Sequence, residues 1–157
     1  MKNSFLALTL TIPLFLAGCA APLLKGVDAE GAKAYLGSPE IQGTSTYQKY
    51  VTGPQSEAAK LIYVISRIGE AEGLLFQHEG AWHDPQEAYR GSMWMLRKNF
   101  EKGETARDFI RLHVWHSDNT GTPRLVKYPD GSLQIGYYIL LNELDLLEAT
   151  ASRELGT

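Results

Sequence analysis

The sequence predicts an α+β domain: a small antiparallel sheet made from two hairpins, packed with about four amphipathic helices. Three observations carry this. Two turn signals, Glu79-Gly80 and Pro129-Asp130-Gly131, each stand between short strand-like runs. Capping residues at Ser56, Asp84 and Thr105 mark helix starts. Between these signals the apolar residues recur at helical spacing, so each helix presents one face to a shared core.

The chain opens with Lys2, an apolar run from Phe5 to Ala17, and the small residues Ala17 and Gly18 before Cys19, the single cysteine. A basic start, an apolar stretch and a small-residue cleavage site are the layout of a secretory signal. Leu16-Ala17-Gly18-Cys19 resembles the lipobox of bacterial lipoproteins, in which small residues fit the signal peptidase and the cysteine sulfur takes diacylglycerol. The resemblance implies cleavage between Gly18 and Cys19 and a mature chain anchored by covalent lipid on Cys19. At roughly 0.8 kcal/mol per buried CH₂, one acyl chain holds marginally and two or three hold firmly. It further implies, from Ala20 after the cysteine, an outer-membrane protein facing the periplasm if the host is Gram-negative. Two other readings exist. Apolar character continues to Leu24, so Phe5 to Leu24 has the length of a spanning helix, though Pro13, Gly18 and Pro22 interrupt it. Alternatively, cleavage elsewhere leaves Cys19 an ordinary thiol.

The reading divides the chain into a signal peptide (1–18), a lipidated N-terminus and tether (19–54), a domain (55–151) and a C-terminal tail (152–157). The tether carries scattered Gly, Ser, Thr and Pro, a composition that suits a loose linker. As a flexible coil it would hold the domain a few tens of ångströms from its anchor, at about 5–6 Å × √n. Within it Ala29 to Leu36 suits a short helix and Thr46 to Val51 a short strand, with Tyr47 and Tyr50 packing back on the domain.

The domain begins with a helix opened by Ser56 and Glu57, with Ala58, Leu61, Ile62, Ile65 and Ile68 on its inner stripe and Gly69 and Gly73 at its end. Leu74 to His78 and Ala81 to His83 form the first hairpin. A two-residue turn sets Phe76 opposite His83 and His78 opposite Ala81 on one side, with Leu75, Gln77 and Trp82 on the other. Asp84-Pro85-Gln86-Glu87 starts the second helix, with Ala88, Tyr89, Ser92, Met93, Leu96 and Phe100 facing inward up to Gly103. Thr105 and Asp108 start a third, carrying Ala106, Phe109, Ile110 and His113, broken by Asp118-Asn119-Thr120-Gly121. Arg124 to Tyr128 and Ser132 to Ile135 form the second hairpin. A last helix places Tyr137, Leu140, Leu141, Leu144 and Leu147 on its stripe.

Composition bounds the function. Of 157 residues, 44% are hydrophobic and 21% charged, an ordinary globular balance. Removing residues 1–18 takes away Lys2 alone among the charges, leaving 14 basic against 18 acidic residues, a formal charge of −4. There is no basic cluster, which argues against nucleic acid as a partner. With Cys19 acylated, no thiol is left for a disulfide or a nucleophile.

Phe76, Gly80, the helix from Ala88 to Lys98, Thr105-Ala106-Arg107-Asp108-Phe109-Ile110, Gly121-Thr122-Pro123, Leu125-Val126 and Pro129-Asp130-Gly131 resemble a family of small secreted bacterial proteins, a domain of unknown function. The resemblance runs from Glu57 to Leu147. It implies a fold, because its motifs are turn and core residues, and supplies no catalytic residue. The chain differs from it at His113, Trp115 and His116.

Candidate chemistry is sparse. His78 and His83 share a hairpin face, and His113 and His116 stand three apart on the third helix; brought together, two such pairs suit zinc or copper. Asp84, Asp108 and Asp130 are explained as cap and turn residues, and no nucleophile spacing or phosphate loop occurs. Trp82 lies on a hairpin tip, Trp94 and Trp115 fall off the buried stripes of their helices, and all three suit an interaction surface. The expected function is a membrane-anchored envelope module, non-enzymatic, that binds or scaffolds a protein or a glycan such as peptidoglycan. The alternative is a small periplasmic metal-binding protein or metal-dependent hydrolase built on the histidines.

Overall fold

The computed structural model describes residues 22–156. The chain runs β1 (Leu23–Leu24), α1 (Ser45–Val51), α2 (Glu57–Gly69), β2 (Leu75–His78), β3 (Ala81–His83), α3 (Pro85–Asn99), α4 (Ala106–His113), β4 (Leu125–Lys127), β5 (Leu133–Ile135) and α5 (Gly136–Leu155). The fold is α+β, and the extra helix is α1. The strands form one sheet in the order β1-β5-β4-β2-β3. The two hairpins meet through antiparallel β2 and β4, Phe76 opposite Val126. The fifth strand departs from the sequence expectation: β1 lies parallel to β5, Leu23 opposite Leu133, so the sheet is mixed.

Local signals act as the sequence predicts. In the first hairpin Phe76 pairs with His83, Gln77 with Trp82 and His78 with Ala81. Glu79 and Gly80 both take positive φ, 51° and 82°, the geometry of a type I′ turn. Asp84 accepts from the Glu87 N–H at 2.8 Å while Glu87 reaches back to the Asp84 N–H, a reciprocal cap with Pro85 in the first turn. Ser56 and Thr105 accept from the N–H groups of Ala59 and Asp108.

Three local expectations need correction. The inner stripe of α2 includes Tyr63, Val64 and Arg67, while Ile62 is 46% exposed. The reason is that α2 is the central helix, contacted by α1, α3, α4 and α5, so more than one stripe is covered. Helix α4 ends at His113, leaving Trp115 and His116 beyond it. Residues 116–123 close a tight loop in which the Ser117 N–H donates to Thr122 O and the Gly121 N–H to Ser117 O, and His116 pairs with Pro123. Helix α5 extends to Leu155 and takes most of the expected tail.

The described part of the expected tether is also part of the fold. Gln134 accepts from the Gly26 N–H at 2.9 Å and donates to Val27 O at 2.8 Å. Asn142 donates to Gly26 O at 2.7 Å and to Ala34 O at 2.9 Å. These amides satisfy a backbone that has little regular structure of its own, which lets it lie against the domain without orphaned polar groups. Gly26 is required there: its φ is +76°, and a Cβ would stand 2.8 Å from Tyr138 Cβ. Further on, residues 29–36 form no helix, Leu36 and Ile41 enter the core, and residues 46–51 are helical rather than extended, with Tyr47 and Tyr50 buried as expected.

Candidate functional site

The interior of the fold is tied together by charges that sequence reasoning does not find. Arg67 on α2 donates from Nε to Glu143 Oε2 on α5 at 3.2 Å, with the two side chains 7% and 0% exposed. The other Glu143 oxygen accepts the Leu36 N–H at 2.7 Å, and Arg67 Nη2 donates to Ser38 O at 2.9 Å. The pair therefore holds the N-terminal segment against two helices. Glu70 stands 3.8 Å from Arg67 Nη1 and accepts from the Thr46 hydroxyl. Burial pushes the Glu143 carboxyl above its ordinary pKa, opposed by Arg67 and by the Leu36 N–H. Burial also raises the Tyr128 and Tyr63 phenols, with the Glu143 charge adding to both. The Tyr128 hydroxyl donates to Tyr35 O at 2.6 Å, whereas the Tyr63 hydroxyl is buried without a partner among the described residues. Tyr47 donates to Glu154 Oε2 at 2.7 Å, and burial followed by that contact takes its pKa up to about 12.

One signal for this pair was present in the sequence. Glu143 is four residues from both Ile139 and Leu147, and Arg67 is three from Val64, so each falls on a buried helical stripe.

The four histidines each engage a different partner. His78 Nδ1 accepts from Arg124 Nη1, which leaves the proton on Nε2, 3.8 Å from Glu79 Oε1. Burial and then the Arg124 charge hold the His78 pKa below its ordinary value. Asn119 donates to the same Glu79 oxygen. His83 Nδ1 lies 3.4 Å from Glu87 Oε2. His113 packs at a tilt on Phe109, 4.6 Å between ring centroids, and His116 lies edge-on to Trp115 at 5.2 Å. His113 and His116 are not on one helix face, because α4 stops at His113. Among the described residues no three His, Cys, Asp or Glu side chains are grouped as metal ligands are.

The tryptophans divide into two kinds. Trp82, on β3, is 39% exposed. Trp94, on α3, is 61% exposed, with Lys98 Nζ 4.7 Å from its ring centroid. Trp115, by contrast, is half-buried in an aromatic cluster at the start of α5, edge-on to Tyr137 at 4.5 Å and to Tyr138 at 5.5 Å. Cys19 and Gly18 lie outside the described residues.

Two concave sites lie among the helices. An apolar cavity of about 20 Å³ between α2, α3, α4 and α5, lined by Leu61, Ile65, Met95, Phe109 and Leu140 among others, has room for about one water. An open cleft of about 350 Å³ lies between the end of α3 and α4, lined by Lys98, Phe100, Glu104, Leu112 and His113 among others. Neither gathers a nucleophile with a base and an oxyanion donor.

Set against protein-family models, curated proteins and solved structures, the chain matches none of them. Any functional reading therefore rests on the chain's own residues.

Proposed function

We propose that the chain is an envelope lipoprotein, anchored through acylated Cys19, whose domain is a non-enzymatic binding or scaffolding module for a protein or glycan partner. The observation that carries this reading is the start of the fold. Sheet residue Leu23 follows Cys19 by only four positions, so a mature chain beginning at Cys19 keeps every element among the described residues. Exposed Trp82 and Trp94 supply apolar area with a polar edge, as partner-binding surfaces do. Outer-membrane location facing the periplasm, if the host is Gram-negative, is part of the same reading and is what Ala20 after the cysteine implies.

Intact mass of the protein purified from its own membranes tests the anchor. The expected species begins at Cys19 and carries diacylglycerol and an N-acyl chain; a chain that begins with Met1, or one without added lipid, refutes it. Cross-linking in the intact envelope tests the second part. A defined partner lost on Trp82→Ala or Trp94→Ala is expected, and capture indifferent to both refutes the role given to those rings.

A further inference from the structure

We infer that Leu23, Val27 and the cluster of Trp115, Tyr137 and Tyr138 form a face that rests on the bilayer holding the chain's own lipid. The inference deepens the lipoprotein reading and depends on it. Its basis is the length of chain between the anchor and the fold. From Cys19 to Pro22 is three residues, which span at most about 11 Å when fully extended. The polar region of one leaflet is itself about 5–8 Å deep. Since Leu23–Leu24 is already fixed in the sheet beside β5, the domain has no long leash on which to stand off. Whatever surrounds β1 must lie against the headgroups.

What surrounds β1 suits that position. Leu23, Lys25 and Val27 point outward in alternation, with Leu23 43% and Val27 39% exposed, while Gly26 between them is buried against Tyr138. Tyr138 leads directly into the ring cluster, its centroid 5.1 Å from Tyr137 and 5.5 Å from Trp115. Isolated exposed Leu and Val are ordinary on any surface. Here the segment that carries them packs at Gly26 against Tyr138, one of three half-buried rings with polar edges, the side chains that prefer the boundary between hydrocarbon and water. Charge does not select the partner: Lys25 and Lys33 are balanced by Asp28 and Glu30 on the same segment. The contact is therefore apolar and interfacial, and it holds on neutral as well as anionic lipid.

The test uses the full chain carrying Trp82→Phe and Trp94→Phe, so that Trp115 is the only indole of the original three. The protein is reconstituted in phosphatidylethanolamine–phosphatidylglycerol vesicles containing lipids brominated near the headgroup, and its intact mass is recorded first. Quenching of Trp115 by the shallow bromines is expected, unchanged when salt is raised and weakened in Leu23→Asp/Val27→Asp, whose thermal unfolding is recorded alongside. Acylated protein whose Trp115 is quenched by aqueous iodide and not by bromine overturns the docking face while leaving the anchor in place. If the mass shows no acyl chain, the lipoprotein reading fails by itself. The sole thiol, Cys19, is then coupled to a maleimide-headed lipid, and the same bromine quenching decides whether the face has affinity for a bilayer.

Discussion

Replacing Glu143 by Gln keeps the side-chain volume and the acceptor for the Leu36 N–H but removes the charge facing Arg67. Both members of the pair are almost fully buried, at 7% and 0% exposure, so solvent does little to compensate. A buried pair broken at one end costs about 3–5 kcal/mol, because the remaining charge is left without a counterion. Glu70 at 3.8 Å from Arg67 offers partial relief, which places the expectation near the lower end. For a domain of this size that corresponds to a fall in Tm of roughly 10–15 °C. Urea unfolding followed by tryptophan fluorescence, with calorimetry, measures it. A companion variant, Arg67→Met/Glu143→Leu, removes both charges and should cost less than the sum of the two singles by about 1–3 kcal/mol. Because Leu36 and Ser38 hang on this pair, trypsin should cut at Lys25 or Lys33 in Glu143→Gln before the rest of the domain opens. A loss below about 1 kcal/mol, the range of a surface pair, refutes the reasoning.

Other outcomes follow from the same geometry. Tyr63→Phe removes a buried hydroxyl without a partner and should leave stability unchanged or raised, whereas Tyr128→Phe breaks the bond to Tyr35 O and should cost about 1 kcal/mol; equal effects in urea titrations contradict the assignment. Acid stability turns on Glu57. Burial would raise Glu57, but the Ala106 N–H and Lys60 outweigh it and hold the carboxyl low. Its contribution is therefore present above the ordinary value and lost as pH falls through the lowered one, and Glu57→Gln flattens the acid limb. Trp82→Ala and Trp94→Ala should each stay within about 0.5 kcal/mol of the parent. Trp115→Ala removes two edge-on tyrosine contacts and should cost about 2–3 kcal/mol by thermal unfolding, and parity among the three refutes the division.

The features that can be read from sequence are those whose cause is local. The reciprocal cap of Asp84 and Glu87 needs four consecutive residues, and the pairing of Phe76 with His83 follows once Glu79-Gly80 is a two-residue turn. The N-terminal segment escapes the same treatment because its partners are distant. Leu36 is secured by Glu143, 107 residues away, and Gly26 by Gln134, 108 away. Composition alone marks residues 22–54 as loose, since nothing within them shows that Gln134 and Asn142 will satisfy their backbone. Glu143 and Arg67 were hidden by chemistry rather than distance: charged side chains on a helix suggest solvent, although their spacing puts them on the buried stripe. Trp115 was misplaced by one turn because the end of α4 is set by the loop closed through Ser117, Gly121 and Thr122.

The parallel pairing of β1 with β5 has a consequence for how the chain comes into being. Leu23 emerges among the first described residues, yet Leu133, the residue it lies beside, is synthesised 110 positions later. Through most of elongation the leading edge of the sheet has no template, and its docking waits for the second hairpin and α5 to arrive. Closing so large a circuit places β1 among the late contacts, together with those of Gly26 to Gln134 and Leu36 to Glu143. Until then Leu23 and Leu24 are an uncovered apolar end, the stretch a holding chaperone would be expected to shield.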